Sequence, residues 1–227
     1  PSGSLAMTEK MGHRITCQND IEIIIVDDGS DEAQKECLRQ EIMPRFPRAR
    51  FIFSEHGGAA AARNRGFNEA RGQYVIFWDA DIVGRPDMLA KMKKALDEHP
   101  KASYAYSSFK FGWKKFVCGP FNAARLKQIN YITTTSLIRR EHFPGFDESL
   151  KKFQDWDLWL TMLAQGRIGV WIPEVLFQII NIQGTMSQWL PSLAYKIPWR
   201  WLGWQPTAIS HYEKATAVIK AKHGLGH

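Results

Sequence analysis

Two aspartates separated by one alanine, Asp79-Ala80-Asp81, stand directly after the apolar run Tyr74-Val75-Ile76-Phe77-Trp78. Carboxylates at that spacing can hold a divalent cation through oxygen ligands, a hard donor set that suits Mg or Mn. The plain alternative is a solvated turn. A second acidic pair, Asp27-Asp28, follows the apolar run Ile21-Glu22-Ile23-Ile24-Ile25-Val26 and leads into Gly29-Ser30. A third, Asp155 and Asp157, flanks Trp156 where a helix should begin; there the plain reading is acids set against the helix dipole.

The elements that must position these acids are legible in the pattern. Both apolar runs read as strands buried on two faces, as in a parallel sheet. In open α/β sheets ligands bind beyond the carboxyl ends of the strands, where both acidic pairs would sit. Ser30 and Asp31 can cap a helix that reaches about Met43 and stops before Pro44. Arg50 to Ser54 is a short strand. Gly57-Gly58 then opens an alanine-rich helix through Ala59–Ala62, Arg63 and Asn64, and Gly72 stops the chain before the central strand. Met88, Leu89, Met92 and Leu96 mark one face of a helix after Pro86.

Ala102 to Phe109 alternates as a strand, and Gly112 to Arg125 is a loop rich in Gly, Pro, Lys and aromatics. Ile132 to Ile138 reads as a strand. A helix starting near Phe153 ends at Gly166, and two further strands are expected near Ile168–Trp171 and Val175–Ile180. Alternating strands and helices followed by a more irregular half define an α/β class.

Composition narrows the function. The 227 residues carry a net charge of +7, which favours anionic partners. The basic residues are scattered and no nucleic-acid motif accompanies them, so nucleotide phosphates or an anionic membrane surface fit better than nucleic acid. The three cysteines, Cys17, Cys37 and Cys118, are odd in number and widely spaced, which suits a reducing cytoplasm, not a disulfide frame. No apolar run is long enough to cross a bilayer. His56 and His142 read as ordinary loop residues.

Taken together, IEIIIVDDGS, GGAAAARNRGFNEARGQYVIFWDAD and FPGFDESLKKFQDWDLWLTMLAQG resemble glycosyltransferase family 2 over about residues 20 to 187. The resemblance implies a Rossmann-like nucleotide-diphospho-sugar transferase fold with a mostly parallel central sheet flanked by helices. Its domain would span 21–188, after an N-terminal segment 1–20 and before a helical, basic, Trp-rich tail at 189–227. It implies that Asp28, with Asp27 beside it, contacts the nucleotide's base and ribose. Arg63 and Asn64 would line the same pocket, Asp79 would lie near the ribose, and Asp81 would be the direct metal ligand. Asp155 matches the second position of the family's Glu-Asp pair, the general base, while Asp157 is structural. Gln154 stands where the family has the glutamate.

The expected function is therefore metal-dependent, inverting transfer of a sugar from a nucleotide-diphosphate donor to an acceptor hydroxyl. A UDP-sugar is favoured over a GDP-sugar, and the acceptor would be a glycan or a lipid-linked molecule. The tail, with Trp199, Trp201 and Trp204 among Lys196 and Arg200, reads either as a peripheral membrane anchor at the inner face of the cell membrane or as core cover. The competing reading is a non-catalytic module of the same fold that docks through its tail. It draws on Gln154 and on a gap in the pattern. The family's first strand has no counterpart before Ile21, which would leave a central slot of roughly 10 Å, two strand spacings, unless further residues of the protein or another segment fill it.

Overall fold

A computed structural model of the chain describes residues 21–180 and 206–226. The chain divides into two compact units, 1–181 and 182–227. In the second unit a single helix, α6 (Thr207–Lys222), is described, with Ile209 and Ile219 buried. The tryptophan-rich stretch 189–204 and the segment 1–20 lie outside the described residues. No described helix is long and apolar enough to cross a membrane.

The first unit begins with β1 (Ile23–Asp28), α1 (Glu32–Cys37), β2 (Ala49–Ser54) and α2 (Ala59–Glu69). Asp31 caps α1 through a reciprocal bond pattern with Gln34. The expected continuous helix to Met43 is instead α1 followed by a π turn at Leu38–Ile42 and a 3-10 turn at Met43–Arg45. Pro44 explains the change: it cannot donate to the helical ladder, so the last turns rewind around it.

The chain continues with β3 (Tyr74–Val75), β4 (Ile82–Gly84), α3 (Met88–Glu98), β5 (Ala102–Phe111), β6 (Lys114–Phe116) and α4 (Ala123–Gln128). Then come β7 (Leu137–Arg139), α5 (Gln154–Ala164) and β8 (Ile168–Ile179). A six-stranded sheet runs in the order β3-β7-β5-β8-β4, with β6 paired to β5. The segment expected as a strand from Ile132 is irregular until Leu137, because Ser136 folds back on Thr133 and Thr134 through side-chain and backbone bonds. The two strands expected after Gly166 are one, β8, whose pairing with β5 shifts register around Pro173.

Strand direction differs from the expected mostly parallel arrangement. β1–β2 and β5–β8 are parallel, while β3–β7, β7–β5, β4–β8 and β5–β6 are antiparallel. An apolar run reports burial and is blind to the direction of its neighbour. The expectation of one sheet is corrected as well: β1 and β2 form a separate two-stranded sheet. β1 pairs with β2 alone and β3 with β7 alone, and no described residue supplies a strand between them. Ile76 to Trp78 accordingly extend the central run without joining a ladder.

The core forms on both faces of β5. On one face α3 lays Met88, Met92 and Leu96, all fully buried, against Ala105, Leu176 and Phe177. On the other, Tyr104 lies 4.4 Å from Trp159 of α5, ring centre to ring centre. The indole N–H groups of Trp156 and Trp159 donate to the carbonyls of Leu126 and Ile132. Large aromatics are thus buried with their polar edges satisfied, which fixes α5 to the end of α4 and the segment up to Ile132.

Candidate active site

The first acidic pair closes β1, the second follows the central apolar run, and the third lies in the first turn of α5. After β1, the Asp28 carboxylate accepts from the N–H groups of Gly57 (2.8 Å) and Gly58 (2.9 Å), and His56 Nδ1 lies 3.0 Å from Oδ2. Asp28 thereby ties the end of β1 to the start of α2. Glycine is required twice in this junction. A Cβ at Gly29, whose φ is +78°, would come within 2.6 Å of the His56 nitrogen, and one at Gly57 within 2.9 Å of Ala61 Cβ. Asp27 is buried, and its carboxylate is taken up by the backbone N–H and hydroxyl of Ser30.

Arg63, one turn into α2, joins the remaining parts. Its Nη2 donates to Asp79 Oδ1 at 2.6 Å and its Nη1 to Gln154 Oε1 at 3.2 Å. The guanidinium also sits over the Phe146 ring, 5.4 Å from its centre. One side chain therefore holds the acidic turn after the central strand and the first residue of α5 at a common point. With Asp28 at the head of α2 and Asp79 bound one turn later, the acids of β1 and of the central run share one end of the domain. Asn64, the next residue, turns the other way: its amide donates to Phe146 O and Glu148 Oε1 and accepts from Phe146 N, each at 2.8 Å. Its polar atoms are spent on holding the 146–148 turn.

Asp81 is partly buried, and its carboxyl is raised above the usual range, first by burial and then by the negative charge of Asp79. Its carbonyl accepts from Ile180 N at 2.7 Å, which anchors the acidic turn to the end of β8. Among the described residues no third histidine, cysteine or carboxylate completes a metal cage around this pair. Two carboxylates fit a Mg or Mn ion that takes its other ligands from water and substrate phosphate, and they do not fit a closed structural site.

Asp155 lies at the start of α5. Its Oδ2 accepts from Asn130 Nδ2 at 2.7 Å and its Oδ1 from Trp156 N at 2.9 Å. Burial raises its carboxyl above the usual range, against the lowering effect of those two bonds and of the Arg63 charge. Phe153, the residue immediately before α5, has φ +58°, the one left-handed backbone outside glycine among the described residues. Such strain in a bulky residue persists only where the surroundings over-determine it, and here it sets the angle at which Gln154 and Asp155 enter the helix. Asp157 is buried beneath them. Asn130 and the bridging role of Gln154 were not apparent in the sequence; Asn130 sits in an ordinary loop, and only its packing against α5 marks it.

The fold and this cluster define a Rossmann-like α/β domain of the nucleotide-sugar transferase class. The family described as glycosyl transferase family 2 matches residues 10–153, and the chain belongs to that family. A putative teichuronic acid biosynthesis glycosyltransferase of Bacillus subtilis is 26% identical over 208 residues, covering 86% of this chain and 80% of that protein. An uncharacterized glycosyltransferase of Rickettsia felis is 27% identical over 169 residues, covering 68% of this chain. This chain spans only 27% of that relative's length. Among solved structures, S. aureus TarS in complex with UDP-GlcNAc superposes with a TM-score of 0.60 over 93% of this chain and 65% of its own, at 17% identity. That likeness is one of fold.

Proposed function

We propose that this domain transfers a sugar from a nucleotide-diphosphate donor, a UDP-sugar in preference to a GDP-sugar, to an acceptor hydroxyl with inversion at the anomeric carbon. The observation that carries the reading is the Arg63 bridge. It draws Asp79, and with it Asp81, toward the segment that bears Asp155, so donor-holding and proton-accepting groups converge from three elements.

In this reading Asp79 and Asp28 face the nucleoside. The Arg63 guanidinium lies beside the diphosphate, where it offsets negative charge that grows as the glycosidic bond breaks. Asp81 would hold a divalent cation, which would supply Lewis-acid stabilisation of the leaving group. Asp155 takes the proton of the attacking hydroxyl, and a carboxyl raised by burial above the usual range is a stronger base than an ordinary one. A single displacement by that hydroxyl inverts the configuration. Asp27 and Asn64 act on the site indirectly, by holding the Ser30 turn and the 146–148 turn.

Gln154 keeps the bond to Arg63 that a glutamate would make, without a second negative charge beside Asp155. The net charge of +7 supports an anionic acceptor or an acceptor carried on an anionic surface, such as a lipid-linked glycan at the inner face of the membrane. The deciding experiment is a thermal-shift panel of nucleotides with and without manganese, followed by hydrolysis of the donor that binds. Manganese-dependent stabilisation by UDP and slow UDP-sugar turnover are expected. Nucleotide binding without turnover would favour a non-catalytic module, and no nucleotide binding would overturn both readings.

A further inference from the structure

The β5–β6 hairpin ends in Gly112-Trp113, and Trp113 is 93% exposed. The hairpin is an ordered ribbon. Phe111 pairs with Lys114 across a two-residue tip, and Gly112 takes a positive φ of 55° at its first position, as a tight turn of this length requires. One face of the ribbon is anchored: Phe109 stacks on Phe116 at 5.1 Å and on Phe177 of β8 at 5.4 Å. Gly112 N donates to Ile179 O, and Gln178 Nε2 donates back to Gly112 O, both at 3.1 Å. A fixed scaffold therefore presents the indole to solvent.

The opposite face carries an unusual charge arrangement. Lys110 and Lys115 are direct cross-strand partners, and both are exposed. Like charges directly opposite each other destabilise an antiparallel pair. No ion pair to either is found among the described residues, and the stretch FKFGWKKFV contains no carboxylate to relieve the repulsion. Lys114, half-buried on the Phe109–Phe116 face with its Nζ 5.1 Å from the Phe116 ring centre, adds a third positive charge near the tip, and Val117 on the Lys115 face is exposed. The result is a tip with one exposed indole beside a paired, unrelieved cluster of positive charge.

We infer that this hairpin tip docks the protein on an anionic lipid surface, with Trp113 entering the headgroup region and Lys110 and Lys115 meeting lipid phosphates. An indole at the water–lipid boundary and lysines beside it are the groups that bilayer interfaces favour. A sugar-binding platform would need free hydroxyl- or amide-bearing neighbours to hold a saccharide ring; residues 109–117 carry none, and the Gln178 amide donates to Gly112 O. The position also matters. Ile179 bonds the hairpin tip and Ile180 bonds the Asp81 carbonyl, so consecutive residues of the chain connect the docking tip to the acidic turn. Docking there brings the acids close to the surface; its value for an acceptor carried on lipid rests on the function proposed above, while docking itself does not.

The test is sedimentation of the full chain with phosphatidylcholine vesicles, with and without phosphatidylglycerol. Three proteins are compared: the wild type, Trp113→Ala, and Lys110→Ser/Lys115→Ser. Wild type should bind the phosphatidylglycerol vesicles preferentially. Each lysine removed should weaken that binding about fivefold, and Trp113→Ala should weaken it by about tenfold or more. Hydrolysis of a UDP-sugar in solution should be unchanged in all variants, which separates loss of docking from loss of the site. Equal vesicle binding by wild type and variants would overturn the inference. So would variant-sensitive binding to dextran sulfate with no preference for phosphatidylglycerol vesicles, which would assign the tip to a soluble polyanion.

Discussion

Asn130 Nδ2 donates to Asp155 Oδ2 at 2.7 Å, joining the loop before β7 to the first turn of α5. The bond opposes burial: it stabilises the ionised carboxylate that desolvation disfavours. It also orients one carboxylate oxygen, leaving the remaining lone pairs of the group for an incoming hydroxyl. Asn130 Oδ1 is buried with no partner among the described residues, so among them the amide is held chiefly by this one bond.

Removing that bond should be visible in a pH profile. Asn130→Ala takes away a contact that lowers the Asp155 pKa, so the acidic limb of kcat/KM should move to higher pH. Nucleotide affinity should stay nearly constant. An unshifted limb with reduced activity at every pH would make Asn130 a packing residue only.

Asp155→Asn should reduce transfer by a factor on the order of 100 or more at saturating donor, with nucleotide affinity retained. Its effect on stability should have the opposite sign. A carboxyl raised in the fold makes the native state hold its proton more tightly than the unfolded chain does. That stability is present at low pH and is lost as pH rises through the folded pKa. The amide removes this loss, so Asp155→Asn should melt at a temperature equal to or above wild type at neutral pH. Asp157→Asn, in contrast, changes a buried group and should lower the melting temperature with a smaller effect on turnover.

Asp81→Asn should abolish the manganese-dependent part of UDP binding, because a neutral amide is a poorer ligand for a hard cation. Calorimetric titration of UDP with and without manganese measures it. Unchanged metal dependence in the variant would reduce the acidic pair to a turn.

The Arg63 bridge predicts a split between two substitutions at one position. Gln154→Leu removes only the 3.2 Å bond and should loosen α5, raising KM for the acceptor more than for the donor. Gln154→Glu restores a carboxylate facing Arg63 and adds negative charge beside Asp155, so the acidic limb of activity should again move to higher pH. Arg63→Lys should harm both ends, since an ammonium lacks the fork that spans Asp79 and Gln154.

Gly29→Ala tests the junction after β1. At φ +78°, with a Cβ meeting the His56 backbone at 2.6 Å, neither the conformation nor the space admits a side chain. A loss of about 1–3 kcal/mol in unfolding free energy is expected from strain of this kind. Chemical denaturation measures it.

The sequence by itself determined which residues are chemically able to act and where the strong elements lie. Apolar runs ending in aspartates, the Gly57-Gly58 helix entry and the Met88–Leu96 stripe are local signals, readable because burial and backbone conformation leave their mark on neighbouring residues. The direction and partners of the strands were decided only in three dimensions, since β3 and β7 would carry the same apolar residues in either orientation. The same holds for the division of labour among polar side chains. Arg63 and Asn64 are adjacent in sequence, yet one reaches Asp79 and Gln154 while the other is consumed by the 146–148 turn, because α2 rotates successive side chains by about 100°. Asn130 carries no sequence signal at all; its meeting with Asp155 depends on Trp156 and Trp159 pinning α5 against the end of α4 and the segment that follows it.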